Sequence, residues 1–155
     1  MVAQAVVIRP CEERDLVHFE AFGAPHHVRY CHDEFARGPA ALTILVAVED
    51  DDVPVGKVHL DFKTRADEGA AVLIAAVVAP EFRGGGIGTE LMRAAKACVC
   101  SRGVGTIVLG VEDSNPRARR LYERLGYQVV GTDSFVYVGA PVPNPGVWMR
   151  KELEC

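Results

Sequence analysis

The spacing of hydrophobic and polar residues divides the chain into short strands and helices. Strands alternate apolar and polar positions, whereas amphipathic helices repeat apolar positions every three or four residues. By these patterns the first half contains, in order, a strand at 5–9, a helix capped by Asp15, a short helix at 28–37, and strands at 42–49 and 55–63. The acidic turn 50–54 joins the last two strands, which are therefore expected to form a hairpin.

The second half begins with residues 70–78, which are apolar at every position, as is typical of a central strand covered by helices. The elements expected after it are a helix from Ile87 to Arg102, a strand at 106–111, a helix at 116–125, and strands at 127–131 and 147–153. The stretch 137–146 is too rich in proline for an inner strand, so a loop is expected there. A hairpin followed by β-α-β units predicts an α/β (α+β) fold, with a mixed sheet and helices on both faces.

The composition is that of one soluble globular domain spanning residues 1–155. The hydrophobic share is 49% and the charged share 25%. A formal net charge of −4 argues against a general nucleic-acid-binding protein and favours a cationic substrate. The longest apolar run, 70–80, is about half the length of a membrane span, and the N-terminus lacks a signal-peptide pattern. We therefore expect a cytoplasmic protein with no membrane partner.

The cysteines are five in number and scattered along the chain. Cys98 and Cys100 lie too close in one helix to share a face, and no pair has the CxxC spacing. A disulfide framework is therefore not expected, which agrees with a reducing compartment.

The stretch "EFRGGGIGTEL" at 81–91 places four glycines between the buried strand and a helix. Free N–H groups and the helix dipole make a helix N-terminus an anion site. Glycines permit positive φ and let a phosphate approach the backbone, and Arg83 adds charge. The P-loop motif is excluded because no Lys-Ser or Lys-Thr follows, and Thr89 replaces the third glycine of the dinucleotide fingerprint. A plain flexible turn remains the alternative when the loop is considered alone.

A second pattern, "EDSNPRARRLYERLGY" at 112–127, follows the next strand. Asn115 can cap the helix, Pro116 suits its first position, and Gly126 ends it. Tyr122 shares the apolar face, whereas the arginines lie largely elsewhere. By helical spacing alone, Tyr122 would be an ordinary core residue.

Together the two stretches resemble the GNAT superfamily of acyl-CoA-dependent N-acetyltransferases. That family's pyrophosphate loop has Gln or Arg, two free positions, Gly, one free position, and Gly or Ala, a pattern that residues 83–88 satisfy. Its second signature is matched at Asn115, Ala118, 121–123 and 125–127. The resemblance covers residues 70–131. It implies a GNAT-like, mostly antiparallel sheet with a splay between the fourth and fifth strands.

The resemblance also implies how acetyl-CoA would bind as co-substrate. The pantetheine arm would enter the splay and hydrogen-bond to backbone around Val77 and Val78, as in strand addition. Asn115 would contact this arm near the fifth strand. The pyrophosphate would lie on the backbone amides of Arg83, Gly84, Gly85, Gly86, Ile87, Gly88 and Thr89.

By the same resemblance, Tyr122 would face the thioester sulfur. The departing thiolate has a pKa near that of a cysteine thiol, about 8.5, whereas tyrosine has a pKa near 10. Complete proton transfer would therefore be uphill by about 2 kcal/mol. A hydrogen bond to the developing charge, or concerted transfer, is expected instead.

The sequence leaves the general base open. Many relatives place a carboxylate or histidine on the fourth strand, but residues 70–78 contain neither. Others use a Glu at the position that Gly110 occupies here. Glu112, at the end of the fifth strand, is the first candidate. His59 and Asp61, on the polar face of the third strand, are alternatives, as is a water chain to solvent.

His26, His27 and His32, together with Cys31, lie where relatives wall the acceptor site. A substrate-lining role is therefore implied. Because the four residues lack the tight spacing of zinc ligands, no metal is predicted.

The sequence thus predicts an acetyl-CoA-dependent N-acetyltransferase that transfers an acetyl group to a primary amine of a small molecule. The amine would attack the thioester directly. The alternatives are a protein N-terminal or lysine acetyltransferase, and a non-catalytic acyl-CoA-binding sensor. A homodimer is compatible with the sequence, which does not identify the amine or the use of longer acyl groups.

Overall fold

The computed structural model describes residues 5–22, 25–136 and 142–155. The strands are β1 (Val7–Pro10), β2 (Leu42–Val48), β3 (Pro54–Asp61), β4 (Ala70–Val78), β5 (Thr106–Glu112), β6 (Gln128–Phe135) and β7 (Asn144–Glu152). The helices are a 3₁₀ helix (Glu13–Phe22), α1 (Pro25–Ala36), α2 (Ile87–Ser101) and α3 (Pro116–Arg124), with short 3₁₀ turns at Ala66–Glu68 and Pro80–Phe82. No helix in the described ranges is long and apolar enough to cross a membrane.

The strands form one sheet in the order β1-β2-β3-β4-β5-β7-β6. All neighbouring strands are antiparallel except β4 and β5, which are parallel and joined through α2. The predicted mixed, mostly antiparallel sheet is therefore confirmed. Strand β7 lies between β5 and β6, so β1 and β6 are the two edges of the sheet.

The sheet opens between β4 and β5. Their pairing runs from Ala70 opposite Thr106 to Leu73 opposite Leu109 and then stops, although both strands continue. On its other side β4 has one extra residue against β3, because Lys57 pairs with Val77 but His59 pairs with Ile74. Such a bulge bends a strand and increases its twist. The predicted splay between the fourth and fifth strands is confirmed.

Helices cover both faces of the sheet, as predicted. The first core lies between the sheet and helices α2 and α3, and it includes Leu60, Leu73, Leu91, Leu109 and Tyr122. The second core lies between the sheet and the 3₁₀ helix with α1, and it includes Leu16, Phe19, Cys31, Ile44 and Val46. Truncating a fully buried leucine such as Leu91 costs about 2–5 kcal/mol.

The predicted helix cap at Asp15 is wrong. Asp15 lies inside the 3₁₀ helix, where its carboxylate accepts a hydrogen bond from the backbone N–H of Glu12 at 2.7 Å. The same carboxylate accepts two bonds from the Arg9 guanidinium, at 2.7 and 2.8 Å. Asp15 therefore ties the start of the helix back to β1, a contact between two elements that helical spacing does not reveal.

The predicted loop at 137–146 is wrong at its end, because Asn144–Gly146 begin β7 and pair with β6. Residues 137–141 lie outside the described ranges. Gly146 allows this pairing, because a Cβ added there would come within 2.3 Å of the Val111 carbonyl oxygen.

One disulfide, between Cys100 and Cys155, contradicts the expectation from the cysteine spacings. Antiparallel pairing carries the end of β7 along β5, and the Leu153 N–H donates to the Gly105 carbonyl at 2.8 Å. This pairing brings Cys155 to the last turn of α2, where the two Cα atoms are 5.5 Å apart.

Candidate active site

The glycine loop joins β4 to α2 in a conformation that only glycine adopts readily. Gly84 and Gly86 have φ of 85° and 87°, in the left-handed region. Gly86 is the N-cap of α2 and provides no side-chain cap. A Cβ added at either glycine would meet no described atom within 4 Å, so the space beside the loop is open. The loop therefore presents the first N–H groups of α2 to this space.

Arg83 connects the loop to the end of β4. Its Nε donates to the carbonyl of Val78 at 3.0 Å, at the point where β4 has parted from β5. This bond uses one of the five N–H donors of the guanidinium, so the positive charge is held beside the open space.

A cavity of about 740 Å³ lies in front of the loop. Its volume is typical of a small-molecule site. The predicted site residues that line it are Val77, Val78, Arg83, Gly84, Gly86, Ile87, Gly88, Thr89, Asn115 and Tyr122. Gly85 and Glu112 do not line it. The structure thus brings ten of the twelve predicted residues together around one cavity.

Tyr122 reaches the cavity from α3. Its side chain is 7% exposed, and its ring packs 6.0 Å from that of Tyr127 in the first core. Burial raises the pKa of the Tyr122 phenol, so the hydroxyl stays protonated well above neutral pH. No partner for this hydroxyl occurs within the part of the chain that the structure describes. The arrangement can donate a proton or a hydrogen bond into the cavity.

Asn115 caps helix α3 through its side-chain oxygen, which leaves its side-chain NH2 group available to a ligand. Its Oδ1 accepts from the backbone N–H of Ala118 at 3.2 Å, which confirms the predicted cap of α3. Asn115 lines the cavity, and its side-chain nitrogen is not needed for this cap.

Glu112 lies on the other side of the sheet from Tyr122. The odd-numbered residues of β5 point into the first core, so alternation turns Gly110 and Glu112 to the opposite face. Glu112 is half-buried, and its carboxylate accepts from the Ser114 hydroxyl at 3.2 Å.

Phe135 fills the space next to Gly110. A Cβ added at Gly110 would lie 2.5 Å from an atom of the Phe135 ring, and this ring packs edge-on against Trp148 at 5.3 Å. The space that a side chain at this position of β5 would need is therefore occupied by an aromatic ring.

The two candidates on β3 are buried and bonded within the protein. His59 is fully buried, with Nε2 3.0 Å from Lys57 Nζ and 3.8 Å from Cys31 Sγ. The Asp61 carboxylate accepts from the backbone N–H groups of Lys63 and Thr64 and from the Thr64 hydroxyl. Neither side chain lines the cavity.

The histidine group on α1 is only partly described. The side chains of His26 and His27 lie outside the described residues, whereas His32 is exposed and its neighbour Cys31 is fully buried. Within the described ranges, no cluster of three or more His, Cys, Asp or Glu could hold a metal ion.

Three arginines of α3 line the cavity although the sequence analysis assigned them no role. They are Arg117, Arg120 and Arg124. Hydrophobic patterning identifies the buried face of a helix but not which polar residues face a cavity. The signal that could have identified them is their spacing of three and four residues, which places three like charges on one side of a helix.

Comparisons with known proteins agree with this geometry. The chain is 44% identical over 62 residues to streptothricin acetyltransferase of Streptomyces lavendulae, covering 40% of this chain and 33% of that protein. The chain matches less than half the length of each curated relative.

Two solved structures share the fold. The ribosomal-protein-S18-alanine N-acetyltransferase from Escherichia coli has a TM-score of 0.78 at 18% identity, over 97% of this chain and 96% of that chain. The PaiA N-acetyltransferase from Thermoplasma acidophilum, in complex with coenzyme A, has a TM-score of 0.73 at 18% identity, over 97% and 100%.

The model of the acetyltransferase (GNAT) family matches residues 9–127, more than half of the chain. This match includes the glycine loop and the α3 signature, so the resemblance inferred from those residues is confirmed. The chain therefore belongs to the acetyltransferase (GNAT) family.

Proposed function

We propose that the protein is an acetyl-CoA-dependent N-acetyltransferase that acts on the primary amine of a small molecule. The observation that carries this proposal is that one cavity joins the open end of the β4–β5 splay, the glycine loop and the Tyr122 side chain. The coenzyme A complex of a fold neighbour supports the identity of the co-substrate. The proposed reaction uses no metal.

The residues around the cavity fit acetyl-CoA. Backbone amides from Arg83 to Thr89, including that of Gly85, would hold the pyrophosphate, because the loop is open and its helix N-terminus attracts anions. The pantetheine arm would bind the β4 backbone at Val77 and Val78, beyond the last β5 partner at Leu73. The Asn115 amide nitrogen would donate to the same arm.

In the proposed reaction, the amine attacks the thioester carbonyl, an N–C bond forms, and the C–S bond breaks. The Tyr122 hydroxyl would hydrogen-bond to the departing sulfur and stabilise its negative charge. Glu112 would accept the proton that the amine loses, directly or through water. Tyr122 and Glu112 lie on opposite faces of β5. If the thioester is held in the splay, the amine can attack from the side of Glu112 while the thiolate departs toward Tyr122.

Two observations support a small-molecule acceptor. The net charge of −4 favours a cationic amine, and the streptothricin relative is named for a small-molecule substrate. The rival is acetylation of a protein N-terminus, which the name of the Escherichia coli neighbour raises. A non-catalytic acyl-CoA sensor is less well supported, because Tyr122 lines the cavity without a described partner for its hydroxyl.

The test is to incubate the protein and radiolabelled acetyl-CoA with a cell extract and to follow the label by mass and by free CoA thiol. We expect labelled small molecules and thiol release in equal amounts, and little of either with Tyr122→Phe. Label in proteins would favour the rival, and no transfer to any acceptor would favour the sensor. A wild-type protein without affinity for CoA by calorimetry would overturn the proposal altogether.

A further inference from the structure

The arginines that line the cavity from α3 form a row on one side of that helix. Arg117, Arg120 and Arg124 are spaced by three and four residues, so they lie along two helical turns, about 10 Å. They are separate from the glycine loop, which belongs to α2.

This row lies beside the start of α2. Leu121, which stands between these arginines on α3, has a methyl carbon 3.7 Å from the position of a Cβ added at Gly88. Arg117 and Arg124 lie four residues before and three residues after Leu121, on the same side of α3. The row therefore continues the positively charged wall of the cavity beyond the amides of the loop.

The row has no counter-charge in the protein. No carboxylate within the described residues pairs with any of its three guanidinium groups, whereas the neighbouring Arg119 pairs with Glu123 at 3.0 Å. Like charges at this spacing destabilise a helix. Arg117 also occupies the first turn of α3, where the helix dipole disfavours a cation and no acidic residue is present.

These costs are offset if a bound anion supplies the missing charge. The amides of the glycine loop match the diphosphate of the co-substrate and leave the row for another anionic group. Guanidinium groups bind phosphate oxygens in a bidentate geometry, and a terminal phosphate monoester offers three such oxygens.

We propose that Arg117, Arg120 and Arg124 form a second anion subsite that binds the 3′-phosphate monoester at the nucleotide end of CoA. This inference rests on the proposed function, because it assumes that CoA occupies the cavity. It makes the protein select CoA over dephospho-CoA, which keeps the diphosphate and pantetheine but lacks this phosphate.

The experiment measures the affinity of the protein for CoA and for dephospho-CoA by calorimetry, so the acceptor need not be known. We expect the wild type to bind CoA at least tenfold more tightly, which corresponds to about 1.4 kcal/mol. The triple variant Arg117→Gln, Arg120→Gln, Arg124→Gln should bind both compounds equally, near the wild-type affinity for dephospho-CoA. Arg119→Gln is the matched control on the same helix, and it should keep the full preference.

Equal binding of the two compounds by the wild type would overturn the subsite while leaving the proposed function in place. This comparison uses only the wild type, so it remains informative even if the triple variant does not fold. If Arg119→Gln loses the preference for CoA as fully as the triple variant does, the 3′-phosphate cannot be assigned to Arg117, Arg120 and Arg124. If the wild type binds neither compound, the proposed function fails together with the inference.

Discussion

Both faces of the sheet carry polar side chains, but those on one face line a cavity and those on the other are enclosed by the protein. On the face covered by α2 and α3, Arg117, Arg120 and Tyr122 line a cavity. On the face covered by the 3₁₀ helix and α1, Lys57 and His59 are fully buried and bonded to each other. Buried polar groups are normally satisfied by protein or water. A polar group that faces a cavity without a protein partner therefore points to a ligand, whereas one that is enclosed and bonded points to the fold.

His59 shows why a polar residue among apolar neighbours does not by itself identify a catalytic residue. Sequence pattern made His59 a candidate base because it alternates with apolar neighbours on β3. In the structure its Nε2 lies close to both Lys57 Nζ and Cys31 Sγ, and Lys57 Nζ lies 5.4 Å from the centroid of the Phe19 ring. Burial lowers the pKa of the Lys57 amine. These groups contact one another inside the second core region, and none of them lines the cavity.

The largest effect on activity is expected from removing the Tyr122 hydroxyl, which lies on the cavity side of the sheet. Tyr122→Phe keeps the ring in the first core, so the variant should fold and bind acetyl-CoA almost as the wild type does. Loss of the hydroxyl should lower kcat roughly a hundredfold or more, about 3 kcal/mol of transition-state stabilisation. The measurement is kcat with the preferred amine, with CoA affinity as the control. A kcat within about twofold of wild type would show that the Tyr122 hydroxyl is not needed for catalysis.

A smaller effect is expected from placing a negative charge in the glycine loop. Gly86→Glu puts a carboxylate where the pyrophosphate should lie, so acetyl-CoA affinity should fall at least tenfold, about 1.4 kcal/mol.

Gly103 provides the matched control for this substitution. It has φ of 74° and, like Gly86, has open space at its Cβ position, but it follows the other end of α2. Gly86→Glu and Gly103→Glu should both lose about 1–2 kcal/mol of stability from backbone strain. Only the change at Gly86 should weaken binding, and similar affinities in the two variants would favour a plain turn.

The smallest functional effect is expected on the enclosed face. Lys57→Met should leave CoA affinity within about twofold of wild type, because Lys57 lies outside the cavity lining. It should instead change the pH dependence of stability. The pKa of Lys57 is lowered in the folded state, so the unfolded chain binds more protons, and the wild type becomes more stable as pH rises toward about 10.4.

Urea unfolding of both proteins at several pH values from 7 to about 10 measures this contribution, because the change falls between the lowered pKa of the folded state and that of the unfolded chain. The stability difference between wild type and Lys57→Met should shift in favour of the wild type by up to about 1.4 kcal/mol per pH unit, the slope for one proton. A loss of CoA affinity in this variant would show that the two faces are less separate than their contacts indicate.

Much of the cavity side could be predicted from local sequence. An uninterrupted apolar run gave both ends of β4, and the glycines marked the turn at which φ becomes positive. The enclosed side depended on contacts between separate elements. The carboxylate of Asp15 is bound by Arg9 on β1, and Phe135 of β6 fills the space beside Gly110. No local pattern specifies such pairs, because each depends on how the sheet brings its strands together.

The disulfide between Cys100 and Cys155 stands at the closed end of the splay. Strands β4 and β5 begin to pair at Ala70 and Thr106, and the Leu153 N–H is bonded to Gly105 beside that point. The covalent ring of about 55 residues contains β5, α3, β6 and β7. In the chain-entropy model such a ring stabilises the fold by about 4 kcal/mol. If the proposed pantetheine arm enters between the two strands, it would therefore act at the open end of a split whose closed end lies beside this crosslink.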